Sequence, residues 1–420
     1  MKKFMTIVMA AALVFAVAGT ASAGTLETSG EARFRLWNLD NYLQDGHSTE
    51  FWDQRVRLNL VWPVNDNVKV SLRADILEGF WGDNTQSVQR TYVQDPTTGA
   101  ISDTETIIGT APKPPISFDQ AYATVKIPDT GATVSLGRQP VTWGLGVAAK
   151  ADNRDRFKLV YKAGAFTIVY AYDKFKELFA EHDTGPIDDN RGHALGAVTT
   201  VGGFNTGLLA YYAMNETSLT VDSTRLLVDG FFMGKAGPAT IKGEVAFQTG
   251  KNEAKGGGMD VDYEGLMAYL GAFMDAGPAT VGIEAAYARG DDPDTTDKVE
   301  GSLYHGPFNS IILFNNLDYP GYAGETSGDS SVGNAIAAKV SATMKPMDNV
   351  SVTGAAIYAT RDQVTAGMDK AMGTEIDLIV VYGVTEAVNV IIGGGYLMAG
   401  DYYGDVDNPW GAMVATVVNF

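Results

Sequence analysis

The chain contains no cysteine, few basic residues relative to acidic ones, and no long apolar run beyond its first residues. Because none of the 420 residues is Cys, the sequence excludes disulfide scaffolds, thiolate metal sites, iron–sulfur clusters and covalently attached c-type haem. Its 31 Lys and Arg against 50 Asp and Glu give a net charge of −19, which excludes a broad nucleic-acid-binding surface. After residue 23 no stretch approaches the ~18 apolar residues that a transmembrane helix needs.

The first 23 residues have the three parts of a secretory signal peptide. Two lysines give a positive start, residues 6–17 form an almost unbroken apolar run, and the Ala-Ser-Ala at 21–23 suits signal peptidase. We therefore expect residues 1–23 to be a removed signal peptide and residues 24–420 to form the exported protein. The missing lipobox cysteine excludes a lipoprotein.

What recurs in the rest of the chain is alternation of polar and apolar residues. Residues 31–36 and 68–75 change character at every step, which predicts strands with one wet face and one apolar face. Alternation also places Arg138 on the apolar face with Leu136, so either a bulge before Pro140 turns it inward or it lies at the membrane interface. Three less regular stretches are also interpreted as strands: residues 192–202, 223–235 and 260–275.

The connections between these segments alternate strictly between short and long. Eight short turns rich in Gly, Pro, Asn or Asp separate nine longer polar connections. Nine long loops, each closing one hairpin, imply about 18 strands, with 16 as the alternative. Loop length sorted in this way predicts an all-β transmembrane antiparallel β-barrel, with short periplasmic turns and long extracellular loops, in the outer membrane of a Gram-negative bacterium.

The C-terminal strand ends in Phe420, as the recognition signal of bacterial outer-membrane proteins does. We therefore expect the barrel-assembly machinery to read Phe420, and lipid and lipopolysaccharide to surround the barrel. Aromatic residues near the predicted strand ends fit girdles at the two membrane interfaces. The predicted girdle residues are Trp37, Trp52, Trp62, Trp143, Tyr170, Tyr172, Tyr211, Tyr212, Tyr287, Tyr358, Tyr382 and Trp410.

If the apolar face meets lipid, the polar face lines a pore. The predicted pore-lining charges are Arg33, Arg35, Arg55, Arg57, Lys69, Arg73, Arg156, Lys158, Lys242, Glu244 and Glu284. One interpretation is an arginine ladder that selects anions or orients solutes. The other is a set of paired charges that satisfy one another, since acids lie beside the bases on the same strands.

Two of the long connections carry further predictions. The third, residues 144–153, is the candidate constriction loop; its candidate residues are Lys150, Asp152 and Arg154. Residues 291–330 hold eight acids against one base and form a solvated loop, in which Asp291, Asp292 and Asp294 are weak Ca²⁺ candidates without an EF-hand pattern. Within the same loop the apolar insert at 311–314 should not face water, so we expect it to fold inward or pack against a rim or partner.

Two patches of the sequence resemble the alginate-export type of Gram-negative porin. The first comprises residues 118–122 (FDQAY), 137–139 (GRQ) and 143–144 (WG); the second comprises 306–308 (GPF) and 315–321, which begins NNLDY. The resemblance implies a monomeric barrel of about 18 strands with an arginine-rich pore. The second patch departs from the family pattern at several positions and lacks its usual histidine.

The sequence favours a passive porin over an enzyme. The four histidines lie beside no evident serine–acid pair and have no metal-ligand spacing, so we predict no catalytic residue, no structural metal and no cofactor. The preferred function is diffusion of small hydrophilic solutes or ions, with an anion preference, through a monomer or homotrimer. The alternative is a structural barrel that binds a surface or encloses a partner protein of an outer-membrane complex.

Overall fold

A computed structural model describes residues 24–41, 48–81, 88–94, 101–107, 116–149, 152–176, 189–314 and 332–420. The predicted signal peptide at 1–23 lies outside these residues. Period-two alternation builds eighteen long strands that pair with their neighbours in antiparallel register. They are β1 (Glu27–Asp40), β2 (Ser48–Asn65), β3 (Val68–Phe80), β4 (Ile116–Ile127), β5 (Ala132–Val141), β6 (Asp152–Ala163), β7 (Phe166–Lys176), β8 (Asn190–Val201), β9 (Phe204–Asn215), β10 (Val221–Ala236), β11 (Ala239–Ala254), β12 (Val261–Ala276), β13 (Ala279–Ala288), β14 (Ala335–Met347), β15 (Val350–Arg361), β16 (Ala371–Gly383), β17 (Val388–Ala399) and β18 (Trp410–Asn419).

The sheet closes on itself through its first and last strands. β1 pairs with β18 from Glu31 opposite Asn419 to Asp40 opposite Trp410. The main chain of Phe420 continues this ladder, since its carbonyl accepts a 2.6 Å bond from the N–H of Gly30. A closed barrel leaves no sheet edge, which is the condition for placing strands in a bilayer. The prediction of an 18-strand barrel is confirmed, and the 16-strand alternative is wrong.

Short and long connections alternate as the sequence predicts. The eight short connections have two to four residues, and the nine long ones have five or more. Gly164, Gly237 and Gly277 have φ values of 61°, 61° and 66°, a backbone region that two-residue hairpin turns require. The long connection before β4 also contains a hairpin of its own, Val88–Gln94 paired with Ile101–Ile107.

The two faces of the barrel wall differ in polarity. Large apolar side chains stand exposed on the outer face, including Leu195 at 60 %, Leu208 at 61 % and Ile283 at 65 %. Such a band is what a lipid-facing surface requires. Among the described residues, no helix is long and apolar enough to cross a membrane.

Arg138 lies on this outer face with Leu136. The strand runs regularly to Val141 with alternating burial, so no bulge turns Arg138 inward. Its guanidinium is 3.5 Å from the carboxylate of Asp155, and both side chains are exposed. Alternation therefore predicts the face of Arg138 correctly.

Three of the predicted girdle aromatics lie inside the barrel instead. Trp37 is 1 % exposed because it shares a strand face with Arg35, and its indole N–H donates to Asp53 over 3.1 Å. Trp143 belongs to a loop that folds inward, and the Tyr211 hydroxyl donates to Asp173 over 2.9 Å. Parity along the strand, and not position near its end, decides the face of Trp37 and Tyr211. Trp143 lies inside because its loop folds inward.

Candidate functional site

The inner face of the barrel carries the charged side chains. Strand register places all eleven predicted pore-lining residues on this face, and their part in conducting solutes stays a prediction. They are Arg33, Arg35, Arg55 and Arg57 on β1 and β2, Lys69 and Arg73 on β3, Arg156 and Lys158 on β6, Lys242 and Glu244 on β11, and Glu284 on β13. The same face carries further carboxylates, and these bind most of the cationic side chains.

On β1 to β4 the arginines form ion pairs with carboxylates of adjacent strands. Arg35 Nε is 2.9 Å from Asp53 Oδ1, where the two residues stand directly opposite each other. Arg57 Nε donates to Asp75 over 2.5 Å in the same way. Guanidinium and carboxylate groups match in shape, so such pairs are both strong and rigid. This geometry agrees with the paired-charge interpretation of the arginines more closely than with an uncompensated ladder.

The remaining arginines of this wall are held similarly. Arg73 Nε donates to Asp119 over 2.8 Å, which gives a role to the acid of the FDQAY patch. Arg154 and Arg156 share the fully buried Asp173, at 3.2 Å and 2.5 Å. Arg154, a predicted constriction residue, is therefore fixed to the wall on β6. Of the other two candidates, Asp152 is the first residue of β6, and Lys150 lies outside the described residues.

The loop after β5 folds into the barrel; residues 142–149 are called the first inward loop. The N–H groups of Leu145 and Val147 both donate to the carboxylate of Glu244 on β11, the second over 2.9 Å. Gly144, with φ of 55°, lies where a Cβ would overlap this carboxylate, so only glycine fits there. The Trp143 ring packs edge-on against Phe231, with centroids 5.6 Å apart. One carboxylate on the far wall thus holds the tip of this loop.

A second loop enters from the connection after β13; residues 300–314 are called the second inward loop. The N–H groups of Ile312 and Leu313 donate to Glu375 over 2.6 Å and 2.8 Å, and that of Ile311 donates to Asp377 over 3.2 Å. Residues 311–314 are at most 3 % exposed. The prediction that this apolar insert folds inward is confirmed.

Glycines of β17 and β18 make room for the second inward loop. A Cβ built on Gly395 would lie 2.7 Å from Asp377 Oδ1 and 2.9 Å from Ile311 Cβ, closer than side-chain carbons approach. A Cβ on Gly393 or Gly411 would lie 3.6 Å or 3.8 Å from the same isoleucine, and one on Gly411 would also lie 2.9 Å from Leu39 Cδ2. The Gly393-Gly394-Gly395 run is therefore the sequence signal of this contact.

The two inward loops meet inside the barrel. The N–H of His305 donates to the carbonyl of Val147 over 2.9 Å, so the loops form one bridge between opposite walls. Phe308 N–H donates to the Tyr304 hydroxyl over 3.1 Å, and burial raises the pKa of that hydroxyl, so it stays protonated. Beside the bridge lies a cavity of about 230 Å³ whose lining includes Lys339 and Asp377.

Each anchoring carboxylate has a second one beside it. Asp229 lies next to Glu244, and Asp377 next to Glu375; all four residues are 0–6 % exposed. Buried carboxylates are costly unless hydrogen bonds satisfy them, and the loop N–H groups supply several of those bonds. The loops and the acids therefore depend on one another. Sequence reasoning missed Asp229 as a site residue.

Other candidate positions are not gathered into a site. Asp291 accepts a 2.6 Å bond from the N–H of Glu300, and Asp292 accepts a 3.0 Å bond from that of Asp294, so these acids order their own loop. Within the described ranges, no group of three or more His, Cys, Asp or Glu is placed to hold a metal ion. Of the second resemblance patch, residues 315–321 lie outside the described residues.

The fold has well-defined counterparts among solved structures. OccK9 (OpdG) of Pseudomonas aeruginosa matches with a TM-score of 0.57 and 12 % identity, covering 94 % of this chain and 98 % of that one. The outer membrane protein OpdK of the same organism matches with a TM-score of 0.54 and 10 % identity, covering 94 % and 99 %. The fold is that of an outer-membrane β-barrel.

OccK3 (OpdO) of Pseudomonas aeruginosa also matches, with a TM-score of 0.54 and 12 % identity, covering 94 % of this chain and 95 % of that one. No protein-family model and no curated protein sequence matches the chain. The resemblance to the alginate-export type is therefore not confirmed.

Proposed function

We propose that the protein is an outer-membrane porin that allows passive diffusion of small hydrophilic solutes or ions. The observation that carries this proposal is a closed barrel whose inner face is charged and whose interior is narrowed by two inward loops. Charged side chains would cost roughly 2–4 kcal/mol each against mid-membrane lipid, so a charged face suits an aqueous interior. The chain has the fold of outer-membrane proteins of Pseudomonas aeruginosa, which supports the outer membrane as its location.

The two inward loops are the proposed constriction. The first inward loop comes from the connection that the sequence singles out, and the second joins it through the bond between His305 and Val147. Side chains of Ile311 to Phe314 are sequestered, so the bridge offers mainly backbone and polar groups to a passing solute. Solutes must pass beside this bridge, which favours small ones.

A preference for anions is the finer part of the proposal. The arginines named above lie on the wall from β1 to β7 together with Lys69 and Lys158, whereas Glu244, Glu284, Glu375 and Asp377 lie on the opposite wall. Such a division produces a transverse field across the interior. Because the arginines of the β1–β7 wall bind carboxylates, we expect the preference to be moderate.

Topology and partners follow from the same proposal. The short turns face the periplasm and the long acidic loops face outward, where divalent ions can link them to lipopolysaccharide. Phe420, whose side chain is 58 % exposed, is available as the signal for the barrel-assembly machinery. The barrel works as a monomer or as a homotrimer.

The alternative, a structural barrel that encloses or presents a partner, draws on one observation. The bridge between the inward loops crosses the interior, and a barrel closed by it would conduct only after the loops move. The porin proposal requires free passage beside the bridge in the protein alone.

Single-channel recording of the purified protein in planar bilayers separates the two functions. The porin proposal predicts stable, ohmic conductance steps in KCl without any added partner. A folded barrel that inserts but produces no steps would contradict it and favour the structural role. The reversal potential in a KCl gradient then tests the anion preference: a clear cation preference would remove that part of the proposal.

A further inference from the structure

Four lysines gather on one part of the inner wall, near the short turns. Lys69 is the second residue of β3, and Lys126 is the last but one of β4. Lys158 and Lys162 lie in the second half of β6, which leads into a short turn. Register joins them across the wall: Lys69 stands opposite Thr124, Thr124 opposite Ser135, and Ser135 opposite Lys158. We call these four residues the lysine patch.

The lysine patch differs from the arginines above it in having no acidic partners. Each arginine of β2 and β3 binds a carboxylate, as Arg57 binds Asp75. In the part of the chain that the structure describes, no carboxylate forms an ion pair with a lysine of the patch. The charges that act on Lys158 are those of Arg156 and Lys69, both positive. In a strongly acidic protein this is a local group of positive charges without ion-pair partners.

Hydroxyl groups complete the row between Lys69 and Lys158. The Thr124 and Ser135 hydroxyls are 3.0 Å apart and share one hydrogen bond. Because each hydroxyl has one donor, this bond uses one O–H and leaves the other available. Three strand spacings separate the two lysines, roughly 14 Å along the wall, a span that two long flexible side chains can close around a small ligand. The row therefore combines two ammonium groups with a hydroxyl donor.

We propose that the lysine patch is a binding site for a small oxyanion at the periplasmic end of the pore. Lysine serves as a compact point charge for phosphate, and a hydroxyl donor adds a directed bond to an anion oxygen. The inference rests on the proposed porin function and deepens it, because it assigns anion recognition to the lysines and not to the carboxylate-bound arginines. An anion that passes the loop bridge would meet this site before it leaves the barrel.

Inorganic phosphate is the probe that tests the site. In planar bilayers, phosphate added on the short-turn side should reduce the KCl conductance of the wild-type protein in a saturable way. The double variant Lys69→Gln/Lys158→Gln should raise the midpoint of that titration about tenfold, the effect of losing roughly 1.4 kcal/mol of binding. The matched control is Lys235→Gln/Lys345→Gln, which removes two exposed lysines from the ends of β10 and β14, away from the patch.

The outcomes separate this inference from the porin proposal. Equal phosphate midpoints in the two double variants, or conducting wild-type channels that phosphate does not block, would overturn the site and leave the porin standing. If the protein does not conduct, the porin proposal fails, and the site is tested by thermal unfolding of detergent-solubilised protein. Phosphate should then raise the unfolding temperature of the wild type and of the control but not of the patch variant, because a ligand that binds only the folded state stabilises it.

Discussion

The two sides of the inner wall satisfy their buried charges in different ways. From β1 to β7, side chains satisfy side chains: arginine binds carboxylate across neighbouring strands, as in the pair of Arg57 and Asp75. From β10 to β16, Glu284 is likewise paired with Lys339. The other anchoring carboxylates accept hydrogen bonds from loop backbone, as Glu375 does from two consecutive N–H groups. The carboxylates of the first side are paired without any loop, whereas several of the second side depend on one.

This difference indicates a division of labour. A wall of side-chain pairs stays smooth and can line a path for solute. A wall of carboxylates that needs backbone donors holds the inward loops in place, since the alternative is buried carboxylates without partners. We therefore expect changes on the β10–β16 side to alter pore size, and changes on the β1–β7 side to alter selectivity with little effect on size.

The largest expected effect comes from removing the anchor of the second inward loop. Glu375→Ala leaves two buried N–H groups unsatisfied, at about 1–3 kcal/mol each, enough to release residues 311–314 from the wall. Single-channel conductance should rise by about twofold or more, as expected when the released state becomes dominant. Glu375→Gln, which keeps one acceptor oxygen, should give an intermediate rise.

The control for this prediction is Glu386→Ala, which removes the same charge from an exposed short turn. Its conductance should match that of the wild type. An unchanged conductance in Glu375→Ala, with the barrel still folded, would show that the second inward loop does not narrow the pore.

The next effect tests how tightly that loop is seated. Gly395→Ala places a methyl group 2.7 Å from Asp377 Oδ1 and 2.9 Å from Ile311 Cβ, so backbone or loop must move. Overpacking of this kind costs typically about 1–3 kcal/mol. Thermal unfolding in detergent should show a lower midpoint than in Gly394→Ala, where the nearest atom, the carbonyl oxygen of Gly411, lies at 3.7 Å. Equal midpoints would mean that the contact with Ile311 is loose.

The sequence is sufficient to predict the barrel but not the contacts in its interior. Strand existence, strand number and the order of short and long connections depend on alternation and turn residues, which are local signals, and glycines such as Gly237 mark turns directly. The inward fold of residues 311–314 is also predictable, because four apolar residues cannot remain in water. The prediction that Trp37 belongs to a girdle is wrong, because its parity with Arg35, and not its place near a strand end, decides its face.

The partners of the inward loops could not be predicted. Which carboxylate receives which N–H depends on contacts between residues about 60 to 100 positions apart, as in the bonds from Leu313 to Glu375 and from Val147 to Glu244. Nothing in the local pattern distinguishes Asp229, buried in the wall, from an acid that faces the pore. Glycines such as Gly144 and the run at 393–395 are local signals of a close contact, but they do not identify the residue that makes it.

A smaller effect is expected at the first inward loop, whose tip also depends on one carboxylate. Because the chain has no natural cysteine, Val147→Cys gives a single thiol at a position that is fully buried. Adding Glu244→Ala should increase the rate of labelling by a water-soluble thiol reagent roughly tenfold, the effect of about 1.4 kcal/mol on opening. Adding the control substitution Glu386→Ala to Val147→Cys should leave the labelling rate unchanged. Slow labelling in both would mean that the Trp143 packing holds the loop without Glu244.

The smallest effect belongs to the β1–β7 side and concerns selectivity alone. Glu31 binds Arg55 over 2.9 Å and is about one-third exposed, so Glu31→Gln should remove a charge without unfolding the barrel. Because the positive charge of Arg55 then lacks this carboxylate, the permeability of chloride relative to potassium should rise by about twofold. A partly exposed ion pair is worth up to ~1 kcal/mol. The measurement is the reversal potential in a KCl gradient, with Glu27→Gln on the same strand as the control. Single-channel conductance should stay at the wild-type value, and a large rise would contradict the division between a lining side and a loop-holding side.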